Sequence, residues 1–177
     1  MIVTLVLAGE LGFWVLLALG LAARYLLARR RVSTALLLCL PLVDLLVLSA
    51  TVLDLRRGAA PAATHGLAAA YVGFTVAYGH SLVRWADGHV AHRLAGGPKP
   101  PGAPKYGRDR AAHEWRIFGR TLAAAALTTA LITAMVLLLD DSGQAAPLTA
   151  WYPRMAWVTG VSLAVAASYT VFPRRPR

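Results

Sequence analysis

Two acidic residues, Glu10 and Asp44, lie inside long apolar runs of the sequence. In a membrane, a carboxyl group at such a depth costs roughly 2–3 kcal/mol or more, so it must find a partner within the protein. No Lys or Arg lies at mid-depth in any apolar run, and burial favours the neutral acid. We therefore expect protonated carboxyls that hydrogen-bond to Thr75, Thr128 or Tyr78. This pair either carries protons or cations, or joins its two helices to the rest of the protein.

A second candidate site is the cluster of His80, Arg84 and Asp87. The spacings of four and three residues place these side chains on one face of a helix. Arg84 would pair with Asp87, and the cluster would bind a phosphate or an acidic headgroup. The alternative interpretation is an interfacial anchor made of Arg, Trp and His residues. The sequence predicts that the three residues line one pocket that faces the cytoplasm.

The sequence contains no recognisable catalytic set. His65 and His80 are separated by about 22 Å of helix, and the other apolar runs contain no His that would complete a bis-His haem site. Gly97 and Gly102 have the spacing of a phosphate-binding loop, but Ala103 stands where that loop requires Lys. We therefore expect no cofactor and no metal, and the sequence favours a non-enzymatic protein.

The composition defines the class of protein in which these residues must act. Of 177 residues, 58% are hydrophobic and 15% are charged, whereas soluble domains are about 45–50% apolar and about 25% charged. The chain is therefore predicted to be an all-α integral membrane protein that forms one polytopic unit, residues 1–177. Membrane topology then explains the net charge of +10, so we expect no nucleic-acid partner.

Five apolar stretches are long enough to span a membrane, for which about 20 residues are needed. They are approximately residues 2–27, 33–53, 64–83, 117–139 and 150–172. Residues 85–116 separate the third and fourth spans, are basic, and are rich in Gly and Pro near their middle. We expect this segment to form an irregular or extended cytoplasmic loop.

The basic residues predict the orientation of the spans. If five helices alternate, 15 of the 18 Lys and Arg residues fall on one side, and only Arg56, Arg57 and Arg154 fall on the other. Short cytoplasmic loops carry such an excess of positive charge. The prediction is five transmembrane helices, with the N-terminus outside and the C-terminus in the cytoplasm. The bilayer, and anionic headgroups at its cytoplasmic face, would then be partners of the basic residues.

Small residues recur at every fourth position in two of the predicted spans. They are Ala69, Gly73, Ala77 and Ser81 in the third span and Ala156, Gly160, Ala164 and Ser168 in the fifth. Such stripes let helix backbones approach each other closely in lipid. We expect the third, fourth and fifth spans to form the centre of the bundle.

Short motifs are spread over most of the chain. They are Glu10-Leu-Gly-Phe-Trp14, Pro41-Leu-Val-Asp44, His65-Gly-Leu-Ala-Ala, Gly79-His80 with Arg84-Trp85-Ala86-Asp87, and Lys105-Tyr106-Gly107. Together they resemble a group of small bacterial integral membrane proteins, the uncharacterised YmcC-like family. The resemblance implies a multi-pass protein of the bacterial cytoplasmic (inner) membrane, and it implies nothing about a substrate.

The sequence leaves three functions open. A non-enzymatic scaffold or accessory subunit, with a membrane protein as partner, is favoured by the small size and the short outer loops. The alternative is a small proton-coupled transporter that uses Glu10 and Asp44. A further alternative is a lipid-binding or lipid-modifying membrane enzyme that uses His80, Arg84 and Asp87.

The charge bias predicts which loops are accessible from outside the cell. A Cys introduced at Gly102 should resist impermeant thiol reagents in intact cells, because the Pro-rich loop is cytoplasmic. A Cys at Gly143 should react with them. The unmodified chain, whose Cys39 lies in an apolar run, provides the background, and the opposite labelling pattern would refute the predicted topology.

Overall fold

The computed structural model describes residues 2–139 and 145–172 of the chain. Within these ranges every regular element is helical, so the predicted all-α class is confirmed. The helices are α1 (Ile2–Tyr25), α2 (Arg30–Arg56), α3 (Ala63–Leu94), α4 (Gly107–Leu137), α5 (Ala146–Thr149) and α6 (Trp151–Val171). Gly143, one of the two positions chosen to report topology, lies outside the described residues.

The long helices coincide with the apolar stretches of the sequence. In the described part of the chain, three helical segments are long and apolar enough to cross a membrane, namely Leu7–Tyr25 of α1, all of α3 and all of α4. Large apolar side chains are also exposed on α2 and α6, for example Leu46 and Trp157. Extensive apolar surface is unusual on a soluble monomer, so the outer face of this bundle is suited to lipid.

The segment predicted as a loop, residues 85–116, is helical at both ends. α3 continues into it and α4 begins within it, which leaves only residues 95–106 outside the helices. One reason is tertiary packing, because Ala86 is buried in an apolar cluster with residues of α1 and α2. The other reason is that every Pro of the segment falls within residues 95–106, where it interrupts no helix.

α3 is the central helix of the bundle. It contacts α1, α2, α4 and α5, whereas α6 packs mainly on α4. One buried apolar cluster joins α1, α2 and α3 and consists of Phe13, Leu17, Leu21, Leu40 and Ala86. A second cluster joins α2, α3, α4 and α5 and consists of Leu55, Ala69, Ile132, Met135 and Leu148. The first cluster includes a residue in the last part of α3 and the second a residue near its start, so α3 is packed against its neighbours at both of its ends.

Successive long helices run in opposite directions. An ion pair between Arg24 and Asp87 joins the end of α1 to the last part of α3. A hydrogen bond between Trp115 and Thr170 joins the first part of α4 to the end of α6. We call this end of the bundle the basic end, because most Lys and Arg residues of the described chain lie there; the other is the opposite end.

The small-residue stripe of α3 is buried, whereas that of α6 is not. Ala69 and Gly73 are buried, but Ala156, Gly160 and Ala164 are exposed, so the expected central position of the fifth span is wrong. The less exposed residues of α6 are Trp151, Tyr152, Met155, Thr159, Ser162, Ala166, Ala167 and Tyr169, most of which lie on a second face of the helix. Hydroxyl groups on this second face find partners on α4, and lipid offers no such partner to a hydroxyl.

Gly73 permits the close approach of α3 to α4. A Cβ atom added at Gly73 would overlap Thr128 Oγ1 and would lie 2.8 Å from the carbonyl oxygen of Ala124. Because the second obstacle is backbone, a larger residue must push the two helices apart. By contrast, a Cβ atom at Gly160 would meet nothing within 4 Å.

Replacing Gly73 with Val should therefore destabilise the protein. Overpacking typically costs about 1–3 kcal/mol, and thermal unfolding of the purified protein in detergent should show a lowered Tm. Gly160→Val is the matched control, since it makes the same exchange within a helix at an open position. Equal Tm values for the two variants would contradict the close contact at Gly73.

Candidate functional site

A cavity of about 680 Å³ lies between α1, α2 and α3. Its walls are mainly apolar and consist of Phe13, Leu37, Leu40, Leu45, Val72, Val76, Gly79 and Val83. Its polar lining consists of Arg24, Thr34, Thr75 and His80. Cavities of about 300–1,000 Å³ with apolar walls and a few polar groups are typical of small-molecule sites.

The polarity of this cavity changes along the bundle axis. Arg24 lies in the last turn of α1 and Thr34 in the first turns of α2, so both mark the basic end. Phe13 and Leu45 lie eleven residues further along α1 and α2, which is about 16 Å deeper by helical rise. The cavity therefore has a polar mouth with a cation and a mainly apolar interior, which also includes Thr75.

Arg24 is held at the mouth by contacts with α3 and with its own neighbour. Its Nη1 atom lies 3.4 Å from Asp87 Oδ1, and its guanidinium lies 5.9 Å from the centre of the Tyr25 ring. The Tyr25 hydroxyl donates a hydrogen bond of 2.9 Å to the same Asp87 oxygen. Asp87 thus connects the end of α1 to α3 and limits where the guanidinium can lie.

The local sequence explains why the mouth is basic. α1 ends at Tyr25 and α2 begins at Arg30, and the turn between them contains Ala28 in the left-handed region with φ +52°. This tight reversal places Arg29 and Arg31 beside the mouth, and both are exposed. Arg24 differs from these two arginines because it also lines the cavity.

The predicted cluster of His80, Arg84 and Asp87 lies on one continuous helix, but its members have different surroundings. His80 lines the cavity. Asp87 pairs with Arg24 across the helices and not with Arg84. Arg84 is exposed and has no hydrogen bond or ion pair among the described residues. Of the three residues, His80 lines the cavity itself, and Asp87 is connected to the cavity through its ion pair with Arg24.

The other predicted pair, Glu10 and Asp44, lies on α1 and α2, but the side chains of both lie outside the described residues. Of the expected partners, Thr75 lines the cavity. Tyr78 is engaged with α4, through Thr121 Oγ1 at 2.6 Å and the Ile117 carbonyl oxygen at 3.2 Å. The proposed polar site of the two acids stays a prediction.

A second polar cluster lies at the opposite end of the bundle and is structural in character. His65 is buried, and its Nδ1 accepts a hydrogen bond of 3.1 Å from the Ala62 backbone N–H. In the neutral ring the proton is therefore on Nε2, which lies 3.4 Å from Asp54 Oδ2. Trp151 Nε1 donates to the Ala63 carbonyl oxygen at 3.2 Å. Because both ring nitrogens are engaged, this His ties α2 to α3 and has no free nitrogen for acid–base work.

At the basic end, α4 and α6 are joined by another charged cluster. Arg110 forms an ion pair with the buried Glu114, and its guanidinium lies 4.7 Å from the centre of the Tyr169 ring. In the described ranges, no group of three or more His, Cys, Asp or Glu residues is placed to hold a metal ion. The cavity between α1, α2 and α3 is accordingly the best candidate site.

No protein-family model and no solved structure matches this chain. Among curated proteins, a relative from Bacillus subtilis (strain 168) is described as "Uncharacterized membrane protein YmcC". The two are 32% identical over 169 residues, which is 95% of this chain and 90% of the relative. This chain belongs to the YmcC family. The resemblance inferred from short motifs is confirmed, and the chain is a membrane protein of a family whose activity is uncharacterised.

In this YmcC-family protein, the sequence patterns do not single out two residues of the candidate site. Arg24 enters those patterns only as one of the basic residues that indicate topology, and Tyr25 belongs to none of them. The sequence does offer one signal. Arg24 and Tyr25 lie at the end of the first span, and in a bundle of alternating helices the ends of the first and third spans lie on the same side of the membrane. Choosing Asp87 as their partner required the packing of α1 on α3, which no local spacing reveals.

The Tyr25–Asp87 hydrogen bond should contribute to stability. The double variant Tyr25→Phe, Asp87→Ala should lose less free energy of unfolding than the sum of the losses in the two single variants. The expected coupling energy is about 1 kcal/mol. Unfolding of the four proteins in detergent micelles measures the coupling. The control is Tyr106→Phe, at an exposed tyrosine of the same end, whose effect on the free energy of unfolding should simply add to that of Asp87→Ala. If the effects of Tyr25→Phe and Asp87→Ala are also additive, the hydrogen bond does not form.

Proposed function

We propose that this protein is a five-span protein of the bacterial cytoplasmic membrane that binds a phospholipid in the cavity between α1, α2 and α3. The observation that carries the proposal is a long apolar cavity whose mouth holds a cation, Arg24. A phospholipid has the same division, with an anionic phosphate next to apolar chains. Arginine also suits phosphate, because its fork of N–H donors matches the oxygens of the group.

The lengths of α2 and α6 support five spans. α2 has 27 residues and α6 has 21, and about 20 residues cross the hydrocarbon core. Leu42 and Leu46 on α2, and Trp157 and Val161 on α6, are exposed apolar residues that require lipid around them. Because five is an odd number of alternating spans, the N-terminus and the C-terminus would lie on opposite sides of the membrane.

The charge asymmetry supports a cytoplasmic basic end. Arg29, Arg31, Arg84 and Arg93 are exposed there, and positive loops remain on the cytoplasmic side. Exposed arginines near the surface attract anionic headgroups by about 1 kcal/mol each. The mouth of the cavity would then open at the level of the cytoplasmic headgroups, where a phospholipid can enter sideways from the inner leaflet.

The polar and apolar parts of the lipid would contact different residues of the cavity. Arg24 would bind the phosphate, and Thr34 and His80 lie next along the polar lining. One acyl chain would lie against Val76, Val72 and the deeper residues. Since lipid tails are as apolar as the walls, affinity would come mainly from the phosphate contacts and from packing.

Two matched pairs of variants test lipid binding. Arg24→Gln removes the cation at the mouth, and Arg31→Gln removes an exposed arginine that does not line the cavity. Val83→Trp places a bulky ring in the cavity from a half-buried lining position, and Val161→Trp adds the same bulk to an exposed position on α6. Native mass spectrometry of the purified proteins should show a loss of bound phospholipid for the first member of each pair only. The loss should be about tenfold for Arg24→Gln, as expected for losing a charged hydrogen bond, and Val83→Trp should exclude the acyl chain by its bulk.

Equal retention of phospholipid within both pairs would refute the proposal. A loss for Arg24→Gln alone would indicate a surface headgroup contact without an inserted chain. The measurement requires no knowledge of activity, and each control carries the same chemical change as its partner.

A second candidate function is the scaffold or accessory role, and a cleft between α4 and α6 favours it. The cleft has a volume of about 780 Å³, and its lining includes Ala126, Ala130, Ala156 and Gly160. Small side chains let another transmembrane helix approach closely. Under this role, Gly160→Leu should abolish association with the partner, while Gly119→Leu, at another open glycine, should not.

The two remaining alternatives use the residues singled out in the sequence. Proton-coupled transport would use Glu10 and Asp44, and lipid modification would use His80, Arg84 and Asp87. Uptake by protein in liposomes that is lost in Asp44→Asn would favour transport. Turnover of a lipid that is lost in His80→Ala, with the fold retained, would favour an enzyme.

A further inference from the structure

An acid lies beside the base at the mouth of the cavity: Asp87 does not line the cavity itself but contacts Arg24, which does. Asp87 has 28% of its side chain exposed. The two charges of this pair cancel, whereas Arg29 and Arg31 leave the surrounding surface strongly basic. An anionic headgroup would meet attraction from Arg24 and repulsion from Asp87 at nearly the same place.

The ion pair leaves binding capacity on both partners. It joins one guanidinium nitrogen, Nη1, to one carboxylate oxygen, Oδ1, at 3.4 Å. In the described part of the chain, Asp87 Oδ2 accepts no hydrogen bond and the other Arg24 nitrogens donate none. A guanidinium has five N–H donors and a carboxylate about four acceptor positions, so both groups can bind a ligand while they stay near each other.

We infer that the bound phospholipid has a zwitterionic headgroup with a hydrogen-bonding cation, as in phosphatidylethanolamine. This inference rests on the proposed lipid-binding function and names the ligand class for that site. The phosphate binds Arg24, and the primary ammonium binds Asp87. The charges of the headgroup and of the protein pair are then complementary at both positions.

Related headgroups fit this arrangement less well. The quaternary ammonium of phosphatidylcholine has no N–H, so it cannot donate a hydrogen bond to Asp87. Phosphatidylglycerol offers hydroxyl donors but no cation, so the charge of Asp87 is left beside a net negative ligand. Asp87 therefore selects the headgroup, whereas Arg24 supplies the phosphate contact that all three lipids share.

The test compares the three lipids with identical acyl chains. Native mass spectrometry of the full-length protein in detergent, titrated with each lipid, gives an apparent Kd for each. We expect phosphatidylethanolamine to bind about tenfold more tightly than phosphatidylcholine, the size expected for one charged hydrogen bond, and also more tightly than phosphatidylglycerol.

Asp87→Asn should reduce the preference for phosphatidylethanolamine over phosphatidylcholine to within about twofold, since the amide carries no charge. It keeps an acceptor for the Tyr25 hydroxyl, so the link between α1 and α3 is retained. Asp109→Asn is the control, because Asp109 is an exposed acid near the start of α4 and should keep the full preference.

The outcomes separate this inference from the proposed function. If the wild-type protein binds all three lipids equally, or if Asp87→Asn keeps the preference, the inference is overturned and lipid binding stands. If no phospholipid binds in a manner dependent on Arg24, the proposed function itself fails. Glycerophosphoethanolamine, which has the headgroup without chains, should not displace the lipid at equal concentration; efficient displacement would overturn the inserted-lipid arrangement.

Discussion

Hydrocarbon offers no hydrogen-bond partner to a polar group, and this constraint orders the whole bundle. The backbone is satisfied within long helices, and many side-chain hydroxyls bond back to their own helix or to a neighbouring helix, although the buried hydroxyls of Ser33 and Thr128 have no partner among the described residues. Thr51 donates to the Val47 carbonyl oxygen at 2.7 Å, and Tyr78 lies 2.6 Å from Thr121 Oγ1 on the next helix. Most charged contacts occur at the two ends of the bundle, where water and headgroups are near. The surface between the ends is left apolar.

The cavity follows from the way α3 is held between its neighbours. Gly73 brings α3 close to α4, while Ala86 and Asp87 hold the last part of α3 against α1. Between these contacts, α3 faces α1 and α2 with small side chains such as Gly79 and Val76, which do not fill the space. A cleft at this position is therefore a consequence of two close contacts on one long helix.

Two electrostatic environments lie side by side at the basic end. The outer surface has many exposed arginines, which would attract anionic lipid without selecting a species. At the mouth of the cavity one arginine is balanced by one aspartate, and in our proposal this neutral pair distinguishes headgroups by their hydrogen-bonding groups. The surface would bring the protein and the inner leaflet together, and the pair would choose among the lipids present.

The sequence alone determined the membrane class, the apolar parts of the long helices and the separation of charge between the two ends, because these follow from hydropathy and composition; it did not show that α3 and α4 continue into the polar segment between them. It also identified His80 and Asp87 as members of one helix face. Only the tertiary structure decided that Asp87 pairs with Arg24 and Tyr25, because that contact depends on the packing of α1 on α3. It likewise decided that the small residues of α6 face outward, since a four-residue spacing marks a face but does not say which helix, or lipid, will cover it.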